Sequence, residues 1–199
     1  MARVGTTYAE EAGIRLRDKP MPLFQLLILC MLASKPVDAT IAMRAARELS
    51  RAGLRTPRAM TDAERPTLIH AFGRAHYVRY DESSATRAVA IAAAVTEEYG
   101  GDLRRLAVAG GQDIDETTRL LKQFTGIGDT GAAVFLREVQ DIWTWVRPYF
   151  DERATTTAAE LGLPGDPAKL AALAPRRSAT LAAALVRVSS NGDLRPEFD

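Results

Sequence analysis

The sequence is short of the residues that build metal centres and covalent cross-links. Of its 199 residues one is cysteine, Cys30, and two are histidine, His70 and His76. An intramolecular disulfide and a four-cysteine zinc or iron–sulfur site are therefore excluded, and no metal is expected. Net charge is nearly absent too: 26 basic against 25 acidic residues leave +1. The chain has no overall cationic coat for gripping polyanions, although a local basic face remains open. Aromatic residues make up only 7%. The longest apolar run, residues 26–33, is too short to span a bilayer. The charged stretch at 10–19 before it is not laid out as a signal peptide. The chain reads as cytoplasmic, with no membrane partner.

What is present favours helix. Hydrophobic residues reach 47%, enough for a core and too many for wholesale disorder. The basic residues are 22 Arg and 4 Lys, and alanine is abundant; Ala, Arg and Leu are strong helix formers. Helical punctuation recurs. Pro20 and Pro22 precede an apolar stretch, Asp38 or Thr40 caps the next helix, and Gly53 stops it. Thr61 or Asp62 opens a shorter helical segment. Ser83 or Ser84 opens an Ala-rich helix that ends at Gly100-Gly101. Asp113 or Asp115 starts another, Asp166-Pro167 reads as cap plus first turn, and Ser178 opens the last. No alternating strand pattern of any length appears. The fold class is all-α, with roughly eight to ten short helices.

The segment with chemical content is Leu121-x-x-Phe124-x-Gly126-Ile127-Gly128-x-x-x-Ala132. It reads as two helices joined by a Gly-hydrophobic-Gly turn. The glycines allow positive φ and close backbone approach, and Ile127 plugs between the helices. Successive amides, with the start of the helix after Gly128, form an anion site suited to a backbone phosphate. Such a contact positions a protein on nucleic acid without reading sequence. Arg119, Lys122 and Arg137 flank the turn as sources of charge. The alternative is a ligand-free turn with a glycine cap.

With these residues the chain resembles the helix-hairpin-helix DNA glycosylase superfamily, the endonuclease III-like proteins, over roughly residues 21–163. The hairpin is the most specific match. Pro22-Leu23-Phe24-Gln25, Met31 to Asp38, Gly73 with Tyr77 and Arg79, and Tyr99-Gly100-Gly101-Asp102 add to it. Gly73-Arg74-Ala75-His76-Tyr77 and Arg147-Pro148-Tyr149-Phe150-Asp151 resemble a group of actinobacterial endonuclease- or glycosylase-like proteins. The resemblance implies a two-lobed helical body. Residues 38–142 would form a six-helix barrel containing the helix-hairpin-helix at 116–139. Residues 1–37 and 143–199 would together form a second, discontinuous domain. Double-stranded DNA would lie across the cleft of a monomer, on the bacterial nucleoid. The hairpin residues Gly126, Ile127, Gly128, Thr130 and Gly131 would face a phosphate. A damaged base would be extruded and its N-glycosidic bond cleaved in base-excision repair.

The chain departs from that family in three ways. Thr130 stands where bifunctional members carry a Schiff-base lysine, which implies hydrolysis without a strand-cleaving lyase step. Ungapped matching of the family's acidic residue lands on Pro148, and Asp151, three residues on, becomes the catalytic candidate. Its other reading is a helix N-cap. No cysteine follows Cys30, so the iron–sulfur loop is missing, and no cofactor is expected. Lys35 occupies the position of a residue that fills the gap left by a flipped base; pairing with a phosphate and a plain solvated charge are its other readings. His76, Tyr77, Arg79 and Tyr80 suit base stacking or phosphate contact, or else a packed surface loop. Tyr149 and Phe150 line a base pocket or hold the interdomain seam. The rival functions are a non-catalytic DNA-binding or lesion-recognition protein and a protein-interaction domain that binds no DNA.

Overall fold

Short polar side chains set where the helices begin. The side chains of Thr7, Asp38, Thr56, Asp113, Asp151 and Asp166 each accept a hydrogen bond from a backbone amide of the turn that follows. Among the described residues proline takes the first or second position in four of the twelve helices, where its missing N–H has no cost. The computed structural model describes residues 5–190. In order they form α1 (Tyr8–Glu11), α2 (Pro20–Ala33), α3 (Ala39–Arg51), α4 (Pro57–Thr61), α5 (Arg65–Arg74) and α6 (Asp81–Tyr99). There follow α7 (Arg104–Ala109), α8 (Ile114–Leu121), α9 (Asp129–Val139), α10 (Glu152–Glu160), α11 (Pro167–Leu173) and α12 (Ser178–Ser190), with one 3-10 turn at Thr144–Val146. No strand occurs among the described residues.

The all-α expectation holds, but with more helices than apolar spacing suggests. The extra ones are single turns such as α1 and α4. They are too short to show a periodicity and are signalled only by their caps, Thr7 and Thr56. The Ala-rich helix α6 starts at Asp81, ahead of the serines, and closes on Gly100 in the left-handed conformation at φ 60°.

Helix α2 is the axis of the larger apolar cluster. Leu23, Phe24, Leu26, Leu27, Leu29, Cys30, Met31 and Leu32 are wholly buried. It is apolar all round because α3, α6 and α9 pack against it. Phe135 and Trp143 add a tilted ring pair to this cluster. A smaller cluster joins Phe150, Ala154 and Ala158 to Leu170, Leu181 and Leu185, so α10, α11 and α12 share one core.

The apolar clusters divide differently from the expected domains. Residues 8–33 belong to the larger cluster and not with the C-terminal helices. The N-terminal segment still reaches the C-terminal part through polar contacts: Arg187 of α12 pairs with Glu11 and donates to the Thr6 carbonyl at 3.0 Å. No described helix is long and apolar enough to cross a membrane.

Candidate functional site

The turn between α8 and α9 is shaped by two of its glycines for different reasons. Gly126 has φ 85°, the left-handed region that favours glycine. A side chain there would also meet Arg87 Cδ at 2.9 Å and Met31 Cγ at 3.2 Å. Gly131, inside α9, lets that helix approach α2: a Cβ would lie 2.7 Å from Ser34 Oγ. Gly128 corrects the expectation of positive φ at both turn glycines. Its φ is −106° and its ψ −162°, an extended conformation open to any residue. Ile127 is buried between the helices as its position predicts. Gly128, Asp129 and Thr130 are exposed. The Gly128 and Thr130 amides have no acceptor among the described residues, and no side chain caps α9.

These amides border a recess of about 330 Å³ whose other wall is Ser34, Lys35 and Arg87. The charge at the turn therefore comes from α6 and the end of α2, and not from the three flanking cations that the sequence suggests. Arg119 is paired with Glu116, Lys122 with Asp129 at 2.5 Å, and Arg137 is buried. Lys35 and Arg87 have no carboxylate partner among the described residues. Arg87 carries no local signal: it is one polar position on an Ala-rich helix, made relevant only by packing.

A larger groove of about 860 Å³ adjoins the recess, and Ser34, Lys35, Asp129 and Thr130 line both. Tyr8, Tyr149, Asp151 and Arg137 line the groove beyond them. The irregular segment before α10 is held by a side chain acting as a strand. Gln140 accepts from the Tyr149 amide at 3.0 Å and donates to its carbonyl at 2.8 Å. This brings Asp151 to the groove, where its reading as a helix N-cap holds. Its Oδ1 accepts from the Ala154 amide at 2.9 Å and caps α10; its Oδ2 accepts from Arg137 Nη1 at 2.9 Å.

Around Asp151 lies a buried charge cluster. Arg137 is 2% exposed, with its Nε 3.8 Å from Glu138 Oε1. Burial disfavours its charge, but Glu138 and Asp151 outweigh that and hold the guanidinium above its ordinary pKa. Glu138 Oε2 accepts from the Ala9 amide at 2.8 Å. Burial pushes its carboxyl up despite Arg137. The difference between the partners is physical: Arg137 has two carboxylates, and Glu138 faces one cation beyond hydrogen-bond reach.

Other candidate residues divide by exposure. His76, with φ 60°, and Arg79 are exposed; Lys35 and Arg79 lie 5.5 and 5.4 Å from the Tyr80 ring, which sets this loop beside Lys35. Tyr77 is buried, donating to the Leu32 carbonyl at 3.2 Å and lying 3.3 Å from Ser84 Oγ, so its ring cannot meet a nucleic acid. Phe150 belongs to the smaller core, so of this pair only Tyr149 lines the groove. No group of side chains among the described residues is arranged to hold a metal ion.

Burial pushes the Tyr149 phenol up to about 12, with Asp151 adding to it, and raises Tyr77 and the Cys30 thiol. These groups ionise later in the folded chain than in the unfolded one. Their contribution to stability is present below the ordinary thiol and phenol values and is lost as pH rises toward about 12. The urea midpoint is expected to fall between pH 9 and 11 as a result. Tyr149→Phe should make that fall shallower; an unchanged slope would contradict the assignment.

Comparisons with protein-family models, with curated proteins and with solved structures returned no match.

Proposed function

We propose that the protein binds double-stranded DNA through the α8–α9 hairpin and hydrolyses the N-glycosidic bond of a damaged base everted into the adjoining groove. The carrying observation is that a recess at the hairpin amides, lined by Lys35 and Arg87 and by Asp129 in its pair with Lys122, shares a wall with a larger groove that Asp151 and Tyr149 line. A phosphate suits the first, since unpartnered amides, a helix start, Lys35 and Arg87 all favour an anion. An unstacked base suits the second. Asp151 would stabilise the positive charge that develops on the sugar, or orient the attacking water. Tyr149 stays a neutral phenol at physiological pH and offers its ring to the base. Thr130 offers no amine, so the reaction stops at an abasic site.

The test is a panel of duplexes carrying modified bases. Release of one base, an unbroken strand and no adduct trapped by borohydride are expected; a trapped adduct would refute the hydrolytic route. Binding has its own check. Lys35→Ala with Arg87→Ala should reduce the slope of log affinity against log salt by about two, one for each lost phosphate contact. An unchanged slope would remove the recess from the interface.

A second reading has one observation in its favour. Both oxygens of Asp151 already accept a hydrogen bond from the protein, which suits a structural pin in a non-catalytic lesion-recognition protein. Such a protein would show the salt dependence and release no base.

A further inference from the structure

We propose that Arg137 is a positioning residue for Asp151, and that Tyr8 of the N-terminal helix is the platform on which it is set. This rests on the reading of Asp151 as the group that meets the developing sugar cation.

The argument starts from how little Arg137 is hydrogen-bonded. A guanidinium carries five N–H donors. In this one Nη1 is spent on Asp151, while Nε and Nη2 have no acceptor among the described residues. Leaving buried charged donors unfilled is costly. An arginine buried for cohesion alone would be expected to fill more of them. Its contacts instead fix its position. The guanidinium carbon lies 4.9 Å from the centre of the Tyr8 ring, and Glu138 flanks its Nε. Glu138 in turn takes the Ala9 amide, one residue after Tyr8. Helix α1 is thus fastened to α9 through Glu138 and to α12 through the Arg187–Glu11 pair. Tyr8 sits on a helix tied to two others, at the groove it lines.

The consequence falls on Asp151. The Ala154 amide holds Oδ1 and Arg137 holds Oδ2, so the plane of the carboxylate is set by two donors from different elements. Each oxygen keeps a lone pair for the groove. With Arg137 gone, only the cap remains and the carboxylate turns about its last bond. A displacement of that kind costs roughly a hundredfold in a reaction that depends on geometry. Positioning also explains why a cation so near a cation-stabilising carboxylate is tolerated: Glu138 faces it from the other side.

The experiment compares binding of two duplexes that need no knowledge of the natural lesion. One carries a pyrrolidine abasic analogue, whose ammonium stands in for the sugar cation; the other carries the neutral tetrahydrofuran analogue. The wild type should prefer the cationic duplex by about tenfold or more, as a stand-in for the transition state. Arg137→Lys keeps the charge and loses the planar fork, so a change in this ratio reports placement and not charge. It should bring the ratio close to one while affinity for the neutral duplex holds. Asp151→Asn should do the same, and the double variant should go no further. Tyr8→Leu alters no charge and should also lower the ratio; it decides the matter if Arg137→Lys does not fold. Full preference retained in the folded Arg137 and Tyr8 variants overturns the positioning role and leaves Asp151 standing. Additive losses with Asp151→Asn overturn it as well. A wild type that binds both duplexes equally overturns the reading of Asp151 and this inference together.

Discussion

Asp151→Asn is expected to lower release of the damaged base by at least about a hundred- to a thousandfold, the range seen when one electrostatic contact to a transition state is removed. Affinity for undamaged duplex should stay near that of the wild type, because the hairpin recess and its cations lie on other elements. The variant also carries a structural cost that can be anticipated. The site asks for two acceptors, one for the Ala154 amide and one for Arg137. An amide has one oxygen, so whichever way it turns, an N–H meets an N–H. A loss of about 1–3 kcal/mol follows, and base release must be measured per folded molecule, with a thermal melt beside it. Full activity in the folded variant would leave Asp151 as a cap only.

The difference between that result and the rival function is one of kind. A lesion-recognition protein loses stability on the same substitution and has no base release to lose. Measuring binding, melting and release on one preparation therefore separates the two readings. The salt slope separates both from a domain that binds no DNA.

How much of this could be read from the residues alone follows from the range of each signal. Caps act over three residues, so Asp38, Asp113 and Asp166 mark helix starts in the sequence as they do in the structure. The plugging role of Ile127 is equally local. The placing of Asp151 was not local: the irregular segment before it is held at Tyr149 by Gln140, nine residues back. The recess was legible only on its hairpin side. Arg87 comes from a helix whose pattern gives no reason to single it out, and Ser34 meets the site only because Gly131 lets α9 come close. Arg137 is misread from sequence for a general reason: arginine is seldom fully buried, so one beside a glycine-rich turn reads as surface charge. Tyr77 is the converse, an aromatic in a cationic loop whose ring turns inward to Leu32 and Ser84. The grouping of the apolar clusters was not legible in the sequence because it depends on long-range packing. Here the N-terminal helix is joined to the C-terminal part by charge, through Arg187 and Glu11, and not by shared core.

Arg137→Met carries the largest expected loss of stability, and its pH dependence gives it a signature. Met fills much of the same volume and keeps the contact with Tyr8, so packing is largely spared. What is left is Glu138, buried, with its one nearby cation removed. Breaking a buried pair from one side costs about 3–5 kcal/mol, because the remaining charge keeps hydrogen bonds such as that from the Ala9 amide but no counter-charge. Burial already raises the Glu138 carboxyl in the wild type against the pull of Arg137; without that pull it rises further. A carboxyl whose folded pKa lies above its unfolded value contributes stability below the unfolded value. That contribution is lost as pH climbs through the folded one. The penalty for Arg137→Met should therefore be smaller at pH 5 than at pH 8, as read from urea midpoints. Adding Glu138→Gln removes the charge, keeps a carbonyl for the Ala9 amide, and should restore part of the stability at pH 8. A penalty equal at both pH values, and untouched by Glu138→Gln, would mean that Arg137 matters for its volume or for Asp151 alone and that Glu138 is no part of the cluster.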